Sequence, residues 1–208
     1  MKTLFPEFDR SQYRVLIACE FSGTVRDAFL NVGFTRAVSC DLLPSELPGP
    51  HITGDVTGLL SDPWDLVIAH PPCRFLSQAA MKHWDQPGRD VLRHQARQFF
   101  LRCLNANAPM VAVENPKIPT TRLELPRPSQ EIQPWMFGHP YTKRTWFWLS
   151  GLPTLTPSCP QPPAWTLRQY TDAFRSPTDR ARTFDGVAYA MAIQWGNALA
   201  LNTPRGAI

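Results

Sequence analysis

The sequence predicts an α/β fold with a mostly parallel sheet and helices on both faces. Short apolar runs typical of buried strands alternate along the chain with stretches whose apolar residues recur at helical spacing. The chain has 208 residues, 43% hydrophobic and 18% charged, which is enough for one domain with a substantial core. We therefore interpret residues 1–208 as a single domain.

The first third of the chain predicts a strand, a turn, a helix and a second strand. Residues 13–19 form an apolar run, residues 24–31 have helical periodicity, and residues 34–40 form the next apolar run. Asp41 follows the second strand, 18 residues beyond Gly23. Nucleoside-binding Rossmann-like sheets place an acid at this point, where its carboxylate holds ribose hydroxyls.

Another short strand, residues 66–69, stops at two prolines and a cysteine. Pro71 and Pro72 cannot donate to a sheet ladder, so the strand must end before them. Cys73 then lies at the carboxyl edge of the sheet, where ligands bind in open α/β folds. A cysteine on its own is more often buried core than a nucleophile, so the residue type leaves both interpretations open.

The central part of the chain adds a helix and a strand. Residues 87–105 have one apolar face, and the arginines on the other faces are expected to be solvated. Residues 110–116 form an apolar strand that ends in Glu114-Asn115-Pro116. A glutamate beside Cys73 at the same sheet edge would form a pair able to do acid and nucleophile chemistry.

The last third predicts irregular chain, one strand and a final helix. Residues 117–140 read as irregular, and a β-prone strand over 142–149 begins with two cations, Lys143 and Arg144. Residues 150–183 form a proline-rich excursion with interleaved cations and aromatics, which could contact nucleic acid or pack on the core. The helix over 184–201 carries Gly196-Asn197 at its middle, which indicates either a close approach that glycine allows or a break in the helix there.

Charge and cysteine content narrow the function classes. Residues 1–114 carry 11 Lys and Arg against 12 Asp and Glu, whereas residues 115–208 carry 10 against 5. The basic half suits a polyanionic partner such as nucleic acid or a nucleotide, or is simply a soluble basic surface. The five scattered cysteines predict neither a zinc site nor a disulfide framework and fit a reducing cytosol. The apolar runs are too short to span a bilayer, so no membrane partner is expected.

In order along the chain, these residues resemble the motifs of the cytosine-5 DNA methyltransferases. Pro71-Pro72-Cys73 matches the catalytic Pro-Pro-Cys, and Glu114-Asn115 matches the Glu-Asn motif. The remaining similarities are Phe21-Ser22-Gly23 to the Phe-x-Gly cofactor turn, Asp41 and Gly54-Asp55 to the acids that contact ribose and adenine, Lys143-Arg144 to Gln-x-Arg-x-Arg, and Gln194-Trp195-Gly196-Asn197-Ala198 to Gln-x-Gly-Asn-Ala/Ser. The resemblance covers most of the chain.

The resemblance implies a Rossmann-like S-adenosylmethionine-dependent methyltransferase fold and methyl transfer to C5 of cytosine in DNA. It gives catalytic roles to Cys73, Glu114 and Arg144. Cys73 would add covalently at C6, Glu114 would protonate or hydrogen-bond the ring nitrogen, and Arg144 would hold the base carbonyl or a nearby phosphate. The candidate cofactor-binding residues are Phe21, Ser22, Gly23, Asp41, Asp55, Pro71 and Asn197. The candidate substrate-binding residues are Arg74, Ser77 and Lys143, and no metal is implied.

The chain also departs from this family. Val25 and Arg26 stand where the cofactor turn continues with two glycines, and Arg74 replaces the glutamine after the nucleophile. Only about 45 residues, 150–194, occupy the place of a long target-recognition domain. The resemblance is thus to a compact, phage-type member in the cytoplasm of a bacterial or phage-infected cell, with a partner protein as one route to target recognition.

Two other functions remain open at this stage. One is C5 modification of a free pyrimidine nucleotide, such as a cytosine nucleotide, by the same cysteine chemistry. The other is a non-catalytic methyltransferase fold that binds nucleic acid or a partner protein. The sequence also leaves open whether the transferred group is methyl.

Overall fold

The computed structural model describes residues 8–161, 168–169 and 176–202, and most of its strands form one mixed sheet. The strands are β1 (Arg14–Ala18), β2 (Arg36–Asp41), β3 (His51–Thr53), β4 (Leu66–Ala69), β5 (Met110–Pro116), β6 (Gln130–Ile132), β7 (Tyr141–Thr142), β8 (Thr145–Ser150) and β9 (Arg168–Gln169). The main sheet has the order β3-β2-β1-β4-β5-β8-β6, and β7 pairs with β9 separately. The first five strands are parallel, and β8 runs antiparallel between β5 and β6.

Helices cover both faces of this sheet, as the sequence predicts. The α-helices are α1 (Thr24–Asn31), α2 (Arg89–Leu104), α3 (Pro177–Ala181) and α4 (Asp185–Asn202). On one face, α1 and α4 pack together over a core that includes Phe29, Met191 and Trp195. On the other face, Phe100 and Cys103 of α2 pack against β4 and β5. The α/β class with a mostly parallel sheet is therefore confirmed, and the strand order is compatible with a Rossmann-like fold.

Several short elements differ from the sequence prediction. Three-residue β6 lies in a region predicted to be irregular, because so short a strand has no periodicity of its own and forms by pairing with β8. Lys143 and Arg144 precede β8 instead of opening it. In the proline-rich excursion, residues 162–167 and 170–175 fall outside the described residues, and residues 177–181 form α3.

The sheet has a topological switch point between β1 and β4. From β1 the chain moves outward to β2 and β3, and then returns to place β4 on the other side of β1. Crevices at such points, beyond the carboxyl ends of the strands, are where open α/β sheets bind ligands. Cys19 and Glu20 leave β1 at this crevice, and His70 to Cys73 leave β4 there.

The Gly196 motif packs α4 against the core, as its place inside a helix predicts. A Cβ on Gly196 would lie 2.6 Å from Cε2 of Phe34, which is fully buried and stacks edge-on against Phe29. Gln194 exchanges two hydrogen bonds with the backbone of Thr156, and the Trp195 indole donates to the Pro153 carbonyl. In this structure the motif holds α4 to the core and to the start of the proline-rich segment.

We expect Gly196→Ala to destabilise the protein although alanine is the better helix former. Overpacking against Phe34 costs about 1–3 kcal/mol, and the gain in helix propensity is about 1 kcal/mol. Chemical denaturation should show a lower free energy of unfolding than for Gly58→Ala, since a Cβ on Gly58 meets nothing within 4 Å. A Gly196→Ala protein as stable as the wild type would contradict this packing.

Candidate active site

Two adjoining cavities open at the switch point. The thiol cavity, of about 280 Å³, has Cys73, Glu114 and Lys143 among its lining residues. The acid cavity, of about 340 Å³, has both Asp41 and Asp55 in its lining. Cys19, Asp41 and Pro72 line both cavities, so a ligand in one would reach the edge of the other.

Cys73 is held by a tight turn. Its carbonyl accepts hydrogen bonds from the backbone N–H groups of Leu76 (3.0 Å) and Ser77 (2.8 Å). Leu76 is fully buried and anchors this turn in the core. On the other side, the buried Asn115 amide donates to the Pro71 carbonyl at 2.8 Å. The Glu-Asn and Pro-Pro-Cys motifs are thus physically tied, and this tie fixes the thiol relative to the end of β5.

Opposing charges act on the Cys73 thiol. Burial and the nearby Glu114 carboxylate raise the pKa of Cys73, whereas the positive charges of Lys143 and Arg180 lower it, and the net direction is upward. The thiolate is the reactive form of cysteine, so this site holds its nucleophile mainly protonated at neutral pH. A bound ligand that neutralises Glu114 would therefore favour the thiolate.

This electrostatic balance predicts the reactivity of Cys73. Alkylation by iodoacetamide should be slow at neutral pH and accelerate as the pH rises, because a raised pKa leaves little thiolate at pH 7. At one fixed pH, Lys143→Met should slow the reaction, since it removes a charge that lowers the pKa, and Glu114→Gln should accelerate it. Mass spectrometry of the modified peptides measures both rates, with Cys159 as the internal reference. If both variants changed the alkylation rate of Cys73 in the same direction, Lys143 and Glu114 would not act oppositely on its pKa.

Glu114 lies between a histidine and a lysine. Nδ1 of His70 is 3.3 Å from its carboxylate, and the side chains of His70 and Glu114 are only 8% and 16% exposed. Burial alone would raise the pKa of Glu114, but the hydrogen bond from His70 and the charge of Lys143 outweigh it and lower that pKa. Glu114 is therefore an ionised acceptor at neutral pH. Nδ1 of His70 then carries the proton, because a carboxylate can only accept.

His70 has a second feature that its place in the sequence does not reveal. Its Nε2 is buried and has no hydrogen-bond partner. Such an orphaned polar atom is costly unless a ligand or water satisfies it. His70 also lines the thiol cavity, so the atom marks a polar position within reach of a ligand.

Glu20 is another buried polar residue that the sequence interpretation missed. Its carboxylate accepts from the backbone N–H of Val25 at 2.6 Å and from the Ser22 hydroxyl at 3.2 Å, and burial raises its pKa. Cys19, just before it, has a left-handed backbone with φ of 59°, a strain of about 1–3 kcal/mol that is typical of functional sites. Glu20 thus caps the N-terminus of α1 with a protein carboxylate.

Arg26 is held firmly at the turn into α1. Its guanidinium is fully buried and hydrogen bonds to Ser39, Ser45 and the carbonyls of Leu47 and Pro48. Where the family has glycine, this chain has an arginine that fastens α1 to the loop between β2 and β3. That loop forms the rim of the site, so Arg26 shapes the site without lining either cavity.

The last residues of α3 and the segment that follows it form one wall of the thiol cavity. Arg180, Ala181 and Thr183 line the cavity, and the Arg180 carbonyl accepts a hydrogen bond from Nζ of Lys143. Arg182 makes a two-pronged ion pair with Glu46, with contacts of 2.6 and 2.7 Å, and also pairs with Asp179. These contacts hold the wall to the loop between β2 and β3.

The structure brings most of the predicted site residues to one place. Those lining the thiol cavity are Phe21, Ser22, Asp41, Pro71, Cys73, Glu114 and Lys143. Asp55 joins Asp41 in the acid cavity. Gly23, with φ of 80°, forms the turn into α1 beside them. Arg74 and Ser77 follow Cys73 but line neither cavity.

Arg144 and Asn197 are not brought to the cavities. Arg144 is 58% exposed and its Nε lies 3.2 Å from Glu131, because successive side chains in an extended segment face opposite sides and Lys143 takes the inward position. Asn197 is exposed on α4, where its side-chain oxygen accepts from Arg10 at 3.0 Å. The cation beside Cys73 and Glu114 is Lys143, so the geometry does not support the catalytic role predicted for Arg144.

Comparisons with known proteins do not identify a family for this chain. No protein-family model matches the chain, and a search of curated proteins found no significant match. Within residues 8–161, 168–169 and 176–202, no helix has the length and apolar character to cross a bilayer. The same residues contain no group of three or more His, Cys, Asp or Glu side chains that could hold a metal ion.

Proposed function

We propose that the protein transfers a methyl group from S-adenosylmethionine to C5 of cytosine in DNA, with Cys73 as the covalent nucleophile. One observation carries the proposal. Cys73, Glu114 and Lys143 line a single cavity at the switch point, and that cavity adjoins a second one with two carboxylates. A thiol, a ring-nitrogen partner and a cation are the groups that C5 chemistry on a pyrimidine requires.

The acid cavity suits a nucleoside. Asp41 ends β2 and Asp55 follows the adjacent parallel strand β3, and the N–H of Gly54 donates to the Asp41 carbonyl at 2.8 Å. Carboxylates at this position accept hydrogen bonds from ribose hydroxyls and from amino groups. Val56 and Phe99 provide apolar surface for a flat ring. Asp41 and Asp55 would hold S-adenosylmethionine, which would supply an electrophilic methyl group.

Each of three residues in the thiol cavity would have its own role in the reaction. C5 of cytosine is a poor nucleophile, and a bond from Sγ of Cys73 to C6 makes it electron-rich. As the Sγ–C6 bond forms, the thiol proton passes to the ring nitrogen N3, and the ionised Glu114 accepts a hydrogen bond from N3–H, while Lys143 offsets the negative charge of the site. With the methyl group on C5, loss of the C5 proton to water breaks the C6–Sγ bond, and the N3 proton returns to sulfur, which restores the thiol and the aromatic ring. A base within a duplex would have to be flipped out to reach this cavity.

His70 complements Glu114 in this scheme. An ionised Glu114 accepts hydrogen bonds but has no proton of its own to give, whereas the imidazole beside it can carry one. That proton lies on Nδ1, in the hydrogen bond to the Glu114 carboxylate. The hydrogen bond from Nδ1 also fixes the orientation of the carboxylate, so His70 acts as a positioning residue for Glu114.

Asp41→Asn should weaken binding of S-adenosylmethionine by about 10- to 100-fold, since hydrogen bonds to a charged group contribute about 1.5–3 kcal/mol. Asparagine can still accept from the Leu43 N–H through the same oxygen, so the local turn survives. Titration calorimetry measures the affinity. Asp62→Asn, an exposed acid outside both cavities, is the matched control and should bind like the wild type. If the two variants bound S-adenosylmethionine with equal affinity, Asp41 would not contact the cofactor.

Covalent trapping tests the proposed chemistry and its substrate. With 5-fluorocytosine in place of cytosine, the final step cannot occur, because fluorine does not leave C5 as a cation. We expect a DNA oligonucleotide with this base to remain attached to Cys73 when S-adenosylmethionine is present. Attachment of the free nucleotide but not of the oligonucleotide would instead identify a nucleotide-modifying enzyme.

A further inference from the structure

Three arginines near Cys73 are ordered by aromatic rings. The guanidinium carbons of Arg74 and Arg89 each lie 5.4 Å from the centroid of the Phe75 ring, and that of Arg93 lies 4.8 Å from the Trp84 ring. We call Arg74, Arg89, Arg93 and these two rings the arginine surface. The helix arginines were expected to be merely solvated, whereas Arg89 and Arg93 are half-buried on aromatic faces.

The guanidinium groups of the arginine surface retain their hydrogen-bonding capacity. Among the residues that the structure describes, none of these three groups makes an ion pair or a side-chain hydrogen bond. Arg97, one turn beyond Arg93, is a contrast, because it donates to the Leu123 carbonyl at 2.6 Å and pairs with Glu124. Stacking leaves the in-plane N–H donors of an arginine free, and these donors match the oxygens of a phosphate.

The arginine surface is fixed relative to the nucleophile. Arg74 and Phe75 belong to the turn that closes onto the Cys73 carbonyl, and buried Leu76 anchors that turn. Arg89 and Arg93 are one turn apart on α2, a rise of about 6 Å along the helix axis. Arg74 and Arg89 share the Phe75 ring, and Arg93 lies one turn further along α2.

We propose that the arginine surface binds the phosphate backbone of the DNA strand whose cytosine enters the thiol cavity. This inference rests on the proposed function and names its substrate as a polymer. Arginines already occupy a face of Phe75 and of Trp84, so the surface offers donors to phosphates more than platforms to bases. Backbone contacts position a strand without reading its sequence, so we expect weak sequence preference. Such a surface would hold the DNA strand in a chain that has only about 45 residues, 150–194, in the place of a long recognition domain.

The test measures binding of fluorescent cytosine-containing oligonucleotides by anisotropy, without cofactor, across a range of salt concentrations. The variant is Arg74→Gln with Arg89→Gln and Arg93→Gln. We expect its affinity to be lower by on the order of 10-fold or more near 0.1 M salt. The slope of log affinity against log salt should fall in magnitude by about 2, since three phosphate contacts are lost. Binding should change little when the sequence flanking the cytosine is altered.

Two comparisons make the result specific. Arg36→Gln removes one arginine charge at the amino end of β2, away from the carboxyl ends of the strands, and should bind like the wild type. Substituting lysine at the same three arginines keeps the charge but loses the stacked planar fork, and should give intermediate affinity. The proposal that the arginine surface binds DNA would be wrong if the glutamine variant kept the affinity and salt slope of the wild type. It would also be wrong if the wild type did not bind oligonucleotides. Arginine-dependent binding without any methyl transfer would support this surface and count against the proposed function alone.

Discussion

Cys73→Ala should abolish methyl transfer, with a rate loss on the order of 10⁴-fold or more, because the proposed mechanism forms the bond to C6 from the Cys73 sulfur. The variant should fold normally, since the turn around Cys73 depends on backbone hydrogen bonds and on buried Leu76. Transfer of labelled methyl groups to DNA measures the rate.

The matched control for this result is Cys159→Ala. Cys159 is also a free, half-buried cysteine, but it lies outside both cavities. This control should keep full activity and should still be trapped by 5-fluorocytosine. A Cys73→Ala protein that retained substantial activity would end the covalent mechanism, whatever the two cavities bind.

Glu114→Gln should lower the rate of methyl transfer by about 10²- to 10⁴-fold, the usual contribution of a positioned acid or base. Glutamine has nearly the same shape and can still accept the hydrogen bond from His70, so the cavity should keep its form. The amide cannot hold a proton at N3 of cytosine, and the adduct therefore loses its stabilisation.

The alkylation experiment separates this effect from general damage to the site. The same Glu114→Gln substitution removes a negative charge that raises the pKa of Cys73. The variant should therefore combine a more reactive thiol with a much slower enzyme. If Cys73 became slower in both alkylation and methyl transfer, the substitution would have distorted the site. If the full rate of methyl transfer were retained, Glu114 would have no role in the mechanism.

The sequence predicted the parts of the fold that have strong periodicity. Residues 24–31 form α1 as expected, and the apolar runs became the parallel strands of the main sheet. Short β6 and α3 were missed, since three to five residues carry little pattern and depend on tertiary contacts. The mid-helix glycine left two alternatives, a close approach or a helix break, and the structure shows an unbroken helix with Gly196 packed against Phe34.

The candidate site was predictable where the chemistry lies at strand ends. Cys73, Glu114 and Asp41 each follow or end a strand, and a parallel sheet gathers such residues at one edge. His70 and Glu20 were missed because their roles depend on burial and on hydrogen bonds that span different elements. Arg144 was preferred over Lys143 because a motif gives residue types but not the direction in which each side chain points.

The most direct test of the central claim is mass spectrometry of nucleosides from DNA incubated with the protein and isotopically labelled S-adenosylmethionine. The proposal predicts labelled 5-methylcytosine in DNA from the wild type and none from Cys73→Ala. Unmodified DNA together with labelled free cytosine nucleotide would show that the substrate is the free nucleotide and not DNA. No labelled nucleoside of any kind, under conditions where cofactor and DNA both bind, would contradict the claim that this cleft transfers a methyl group.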